Sequence, residues 1–296
     1  MNYFSIKDIE MLSGIKAHTF RIWEQRHGLS FCKRKESQHR YYDNEDLKAV
    51  LRIAYLYHKG YKISKIAHLT KEELIKLATN DIEECNHDLF IQQLIEATLD
   101  YDQPRFEKNI QNAILRFGFE KSILNVFYPF MQKVGLLWVT EHLIPAQEHF
   151  SSSLIQQKLL VAIDRLGSAV MNTKDTVVIF APEGEFHEMP LLIAWYLLKK
   201  QGIKTVYFGV NVPLKHIEYY CDNKRPGYFF LHLITNLAGN DPTEYISRLA
   251  KKFPAIDIIA SGPAISKDAV FPETVKILQA IEELVPSIKN ISNGYR

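Results

Sequence analysis

Two residues past the middle of the chain have the type and spacing for metal chemistry. Glu185 and His187 stand two apart, just after the continuous β-branched and aromatic run Thr176-Val177-Val178-Ile179-Phe180-Ala181. An imidazole can bind a metal through one nitrogen while the other donates to a carboxylate, which orients the ring and raises its basicity. A second group lies near the N-terminus, where His18, Thr19, Arg21 and Arg26 share one short segment and Lys33, Arg34, Lys35 and Arg40 follow. Cationic side chains that track a phosphate backbone, with polar groups at the start of a helix, suit the reading of duplex DNA. Charge agrees: residues 1 to 70 carry 13 Lys+Arg against 7 Asp+Glu, net +6, and the remaining residues are net −4. A basic head on a mildly acidic body places a polyanion at one end.

The elements that must position these groups follow from pattern. With 296 residues and 47% hydrophobic content, the chain is long enough for two or three cores. Ser5 to Asp8 has capping-box spacing, and Ile6, Ile9 and Leu12 repeat at helical intervals until Gly14. Ala17 to Arg26 forms the next helix, with Phe20 and Trp23 on its inner face, so the pair is a helix-turn-helix. Gly28 to Tyr42 is expected to be a two-stranded wing, and Asn44 to cap a third helix through Tyr57. From Glu72 to Gly167 the period is helical, with breaks at Pro104, Gly118 and Pro145, which predicts a four-helix bundle.

At Asp175 the period changes. Strands are expected at 176–181, 205–208, 228–233, 257–260 and 274–278, alternating with helices near 188–201, 214–222 and 242–253, and a last helix near 279–289. That alternation predicts a doubly wound, flavodoxin-like or Rossmann-like sheet of five parallel strands, with ligands beyond the carboxyl strand ends. Three scattered cysteines, with no CxxC pair, exclude a disulfide framework and a cysteine zinc ribbon. The first residues lack the pattern of a secretion leader, and no apolar stretch has spanning length. The expectation is a cytoplasmic protein, associated with the nucleoid and not with a membrane.

The head resembles the MerR family of winged helix-turn-helix regulators. His18 to Leu29 matches the family's recognition-helix pattern, and Arg40-Tyr41-Tyr42 with Asn44 to Leu47 matches the close of its wing. Gln38 departs, standing where the family usually has Gly. The resemblance implies DNA contacts from Thr19, Arg21, Arg26, Arg34 and Arg40, to which His18 and Tyr42 are added.

Glu185-x-His187 is similar to the E/DxHxxG motif of cobalamin-binding domains, in which that His is the lower cobalt ligand. Pro190 departs from the motif's Gly. His232-Leu233-Ile234 stands where a Ser-x-Leu motif is common, and Ser261-Gly262 where a Gly-Gly pair is usual. The resemblance implies cofactor contacts from Glu185, His187, His232, Thr235, Ser261 and Gly262, with His187 on cobalt.

Trp138, nine intervening residues and Glu148-His149 reproduce the Wx9EH pattern of the CarH-type, light-responsive branch of MerR regulators. There Trp138 would be an aromatic lid, and Glu148 and His149 polar contacts above cobalt. Light-responsive members carry a His directly after that Trp. Here Val139 follows it, so either His142 takes the role or the light-induced adduct differs or is absent.

The resemblance implies three domains: a winged helix-turn-helix (1–72), a four-helix cap (73–172) and a cobalamin-binding Rossmann-like domain (173–296). It implies a non-enzymatic repressor binding operator DNA as a dimer or tetramer, with adenosylcobalamin and light controlling the assembly. A cofactor-independent regulator, using the last domain for dimerisation or protein interaction, is the alternative. A methyl-shuttling corrinoid protein is a third reading, against which the basic head argues.

Overall fold

The computed structural model describes residues 3–29, 33–34, 40–80, 87–140, 143–167, 176–235, 237, 241–266, 268–279, 283 and 286–287. The backbone packs into two compact units, Met1–Leu154 and Ile155–Arg296.

In the first unit, α1 (Ile6–Ser13) starts in the expected capping box: Ser5 and Asp8 exchange side-chain and backbone bonds, and Gly14 closes the helix at φ +71°. Helix α2 (Ala17–His27) follows, with Phe20 and Trp23 buried. Strands β1 (Lys33–Arg34) and β2 (Arg40–Tyr41) pair antiparallel as the wing. The turn containing Gln38 lies outside the described residues. Helix α3 (Asn44–His58) is capped by Asp43, not Asn44: Asp43 accepts from the Asp46 N–H and Asp46 bonds back to the Asp43 N–H. A carboxylate at that position serves both the open N–H groups and the positive helix end. Two short helices, α4 (Ile63–Ile66) and α5 (Lys71–Asn80), lead out of the head.

The bundle consists of α6 (His87–Asp100), α7 (Gln103–Phe117), a third rod and α10 (Pro145–Arg165). The third rod is α8 (Phe119–Ser122), a π turn over Ile123–Phe127, and α9 (Tyr128–Val139). Pro129 explains the widened turn, because its ring removes one donor and clashes with the carbonyl four residues back.

The second unit holds five parallel strands: β3 (Thr176–Pro182), β4 (Lys204–Val212), β5 (Tyr228–His232), β6 (Asp257–Ser261) and β7 (Val275–Leu278). Their order is β4-β3-β5-β6-β7, the doubly wound arrangement expected. Between them run α11 (Met189–Lys200), α12 (Leu214–Asn223) and α13 (Pro242–Lys252). Edge strand β4 is longer than the sequence suggests, since Gly209 and Asn211 take positive φ and are absorbed as register shifts against β3. The last expected helix falls mainly outside the described residues. Among the described residues no helix is long and apolar enough to cross a membrane.

Candidate functional site

Two sites emerge, one in each unit. In the head, the exposed side of α2 presents His18, Arg21 and Arg26, with Thr19 half-buried beside them. Behind that face, Phe20 packs on Trp23 at 5.4 Å and Trp23 on Tyr57 at 4.7 Å, which ties the recognition helix to α3. The wing is tied to it by charge: Arg40 Nη1 lies 2.8 Å from Glu24 Oε2. Arg40 is thus half-buried, bound to α2 and still at the wing's edge. The side chain of Arg34 lies outside the described residues.

Tyr42 is a correction to the expected DNA contacts. It is 0% exposed, its hydroxyl bonds to Glu24 Oε1 at 3.3 Å, and its backbone pairs with Phe4. A fully enclosed ring cannot reach a base; Tyr42 closes the head's core where the chain leaves the wing.

In the second unit, β3 ends and Gly184 turns at φ +90°, after which Glu185 is enclosed and His187 partly faces solvent. Glu185 is 0% exposed and His187 41%. The His187 Nδ1 to Glu185 Oε1 distance is 2.6 Å, and that oxygen also accepts from the N–H groups of Phe186 (3.0 Å) and His187 (3.1 Å). The other oxygen, Oε2, accepts from the Ile234 N–H (2.7 Å), the Thr235 N–H (2.9 Å) and the Thr235 hydroxyl (3.1 Å). Burial alone would raise the Glu185 pKa, but the donors from His187, Thr235 and Ile234 win and hold it at about 2. The carboxylate is therefore a fixed anion that clamps the loop after β3 to the loop after β5. It engages the ring through Nδ1 and leaves Nε2 for a metal.

Among the described residues no group of three or more His, Cys, Asp or Glu gathers to hold a free ion. A single oriented imidazole is a poor cage for a bare cation, but it suits a metal whose equatorial positions a macrocycle already fills. The donor set fits a corrinoid cobalt.

His232 ends β5 and is 3% exposed; its Nδ1 pairs with the Ser261 hydroxyl at 2.8 Å, while Nε2 is buried without a hydrogen-bond partner. Burial drives its pKa down to about 4. Gly262, at φ +116°, passes so close to β5 that a Cβ there would lie 2.1 Å from the Leu233 carbonyl oxygen. Thr235 thus serves Glu185, and Ser261 serves His232. Pro190 is buried in the first turn of α11, where a proline costs no hydrogen bond.

Trp138 is 48% exposed near the end of α9. Glu148 is half-buried and His149 exposed on the first turns of α10, with His149 Nδ1 2.9 Å from Glu148 Oε2. His142 and the Val139 side chain lie outside the described residues. Composition gave no signal for Gln156, whose Nε2 donates to Glu188 Oε2 at 2.6 Å while the Tyr207 hydroxyl donates to Glu188 Oε1 at 2.9 Å. That strap holds the residue next to His187 from two sides.

Comparison with known proteins matches both halves. Residues 4–73 match the MerR HTH family regulatory protein, and residues 90–162, the helices ahead of the sheet, match the B12 binding domain. The HTH-type transcriptional repressor CarH of Myxococcus xanthus is 24% identical over 250 residues, covering 82% of this chain and 83% of the relative. The HTH-type transcriptional repressor CarA of the same organism is 24% identical over 297 residues, covering 98% and 97%. The fold is also similar to the monomethylamine corrinoid protein of Methanosarcina barkeri, with TM-score 0.55 at 13% identity, covering 68% of this chain and 98% of that one.

Proposed function

We propose, for a chain that is a MerR-type regulator of the CarH kind, that it is a repressor whose operator binding is controlled by cobalamin. The observation that carries the cobalamin half is the His187–Glu185 pair, a solvent-facing imidazole oriented by a buried and fully bonded carboxylate. Bound cobalamin would supply an exchangeable ligand on cobalt, and the presence or absence of that ligand would be the signal. His187 would hold the cobalt through Nε2, while Glu185 keeps Nδ1 engaged. His232, Thr235, Ser261 and Gly262, at the carboxyl ends of β5 and β6, would meet the nucleotide tail. By the Wx9EH pattern, Trp138, Glu148 and His149 would be the residues that meet the adenosyl group, so that adenosylcobalamin is the form proposed. Residues 1–72, 73–172 and 173–296 divide the work into DNA reader, cap and cofactor domain.

In the reader, His18, Thr19, Arg21 and Arg26 approach the major groove while Arg34 and Arg40 hold the flanking backbone. Two half-sites need at least a dimer, so the cofactor acts by favouring one assembly state over another. Light enters the same scheme if it removes the upper ligand. A cofactor-independent regulator is the alternative, favoured by the weakened glycine motifs, with Pro190 in place of the motif's Gly and Ser261-Gly262 in place of a Gly-Gly pair.

The test is an absorption spectrum of the full chain after dark incubation with adenosylcobalamin and gel filtration. Co-eluting cobalamin is expected, with its bands shifted in His187→Ala and changed by illumination. Colourless protein under every condition would overturn the cobalamin reading and leave the DNA reader standing.

A further inference from the structure

The contact between the head and the bundle, both within the first unit, includes buried charge. Arg52 on α3 reaches across to α6, its Nη2 2.5 Å from Glu96 Oε2. Arg105 on α7 bonds the same oxygen at 2.6 Å, and Gln92 Nε2 donates to Oε1 at 3.0 Å. Glu96 is 1% exposed and Arg52 5%. One turn earlier on α3, buried Lys48 is held by Glu45 of its own helix at 2.8 Å and by Asp100 of α6.

A carboxylate between two guanidinium groups is poor glue, because desolvating three charges offsets much of their attraction. Its advantage is geometric. Two guanidinium nitrogens and an amide converging on one buried carboxylate make direction-dependent hydrogen bonds that tolerate little sliding or rotation, whereas an apolar face slips at small cost. Arg52 belongs to the helix on which Trp23 of the recognition helix is seated through Tyr57, so a fixed α3 means a fixed α2.

We propose that Glu96, with Arg52 and Arg105, is a positioning residue that sets the DNA-reading head at one angle on the helical bundle. Two heads can then meet two half-sites only at a set spacing. The last step rests on the regulator reading; the joint itself is tested without DNA.

The experiment uses the full chain with its three native cysteines replaced by serine and spin labels at Ser64→Cys on α4 and Gln111→Cys on α7, both exposed. Pulsed dipolar spectroscopy should give one narrow distance peak, and Glu96→Ala should widen it at least twofold with helix content retained. Should Glu96→Ala fail to fold, the triple variant Arg52→Met, Glu96→Leu, Arg105→Met leaves no unpaired buried charge, and it should fold and also broaden. An unchanged width in a folded variant would overturn the joint.

For the DNA step, operator affinity should fall about tenfold and tolerate half-site spacing changes of one or two base pairs, with nonspecific duplex binding within twofold of the parent. Broadening with unaltered operator affinity and spacing preference would overturn the positioning role. A parent chain that binds no duplex would sink the regulator reading, while the label distances still decide the joint.

Discussion

At the scale of single residues, Glu185 and His232 make opposite use of burial, and both predict acid sensitivity. The Glu185 carboxyl is held at about 2, below its ordinary 4.5, so the folded state prefers the anion. Its stabilisation is complete above pH 4.5 and disappears as pH falls towards 2, a difference of about 3 kcal/mol by proton linkage. His232 is held at about 4, below its ordinary 6.5, so the unfolded chain binds the proton first. Stability is complete above pH 6.5 and falls as pH drops towards 4. Urea unfolding of the second unit followed against pH should show two successive losses, with the upper one missing in His232→Phe and the lower one missing in Glu185→Gln. Glu185→Gln should also cost roughly 3 kcal/mol at pH 7, since an amide NH2 would face N–H donors in a buried site. An unaltered pH profile in both variants would contradict these assignments. Arg21→Ala, on the exposed face of α2, should weaken DNA binding and lower the log–log salt slope by about one. A lost affinity with the same slope would mean Arg21 does not meet a phosphate.

At the scale of elements, the β-rich half was legible because strands covered on both faces must be continuous apolar runs, and Thr176 to Ala181 or Tyr228 to Leu233 admit no other strand pattern. The first helix and its capping box were equally plain, being local. What stayed hidden is whatever depends on partners far along the chain. Glu185 to His187 shows in a spacing of two, but the donors from Ile234 and Thr235 come from about fifty positions on. Lys48 and Arg52 look like solvated charges on a surface helix until Glu96 and Asp100 face them. Tyr42 sits among wing cations and is a core residue. The ends of β5 and β6 yield a further prediction. Gly262→Ala would force a Cβ to within 2.1 Å of the Leu233 carbonyl oxygen at φ +116°, and should cost roughly 3 kcal/mol or more. Thermal unfolding of the second unit checks it, and a drop of less than about 1 kcal/mol would show that the two strand ends can part.

At the scale of the whole molecule, a DNA reader and helices lie in one compact unit and a parallel sheet in the other. The first is built from helices whose own hydrogen bonds are local, joined by side-chain contacts such as Trp23 on Tyr57, and the second is held by strands that pair only after crossover helices. Local contacts form fast and non-local ones slowly. Refolding from urea should therefore show tryptophan signals from Trp23 recovering ahead of those from Trp195, which stacks on Tyr207 of the edge strand at 4.4 Å. Variants that keep Trp23 or Trp195 as the sole tryptophan would resolve the two phases, and the reverse order would count against it.

The clamp that joins the two loops also sets a timetable for synthesis. His187 leaves the ribosome before the residues that orient it have been made, because Ile234 and Thr235 must still be added and β5 must still pair with β3. At about 5–20 residues per second, the site stays half-built for several seconds on every new chain. A nascent chain truncated before Ile234 holds His187 beside a carboxylate with half its donors missing. Under the cobalamin reading proposed above, the signal would be received only by chains whose sheet is nearly complete, long after the N-terminal head has emerged.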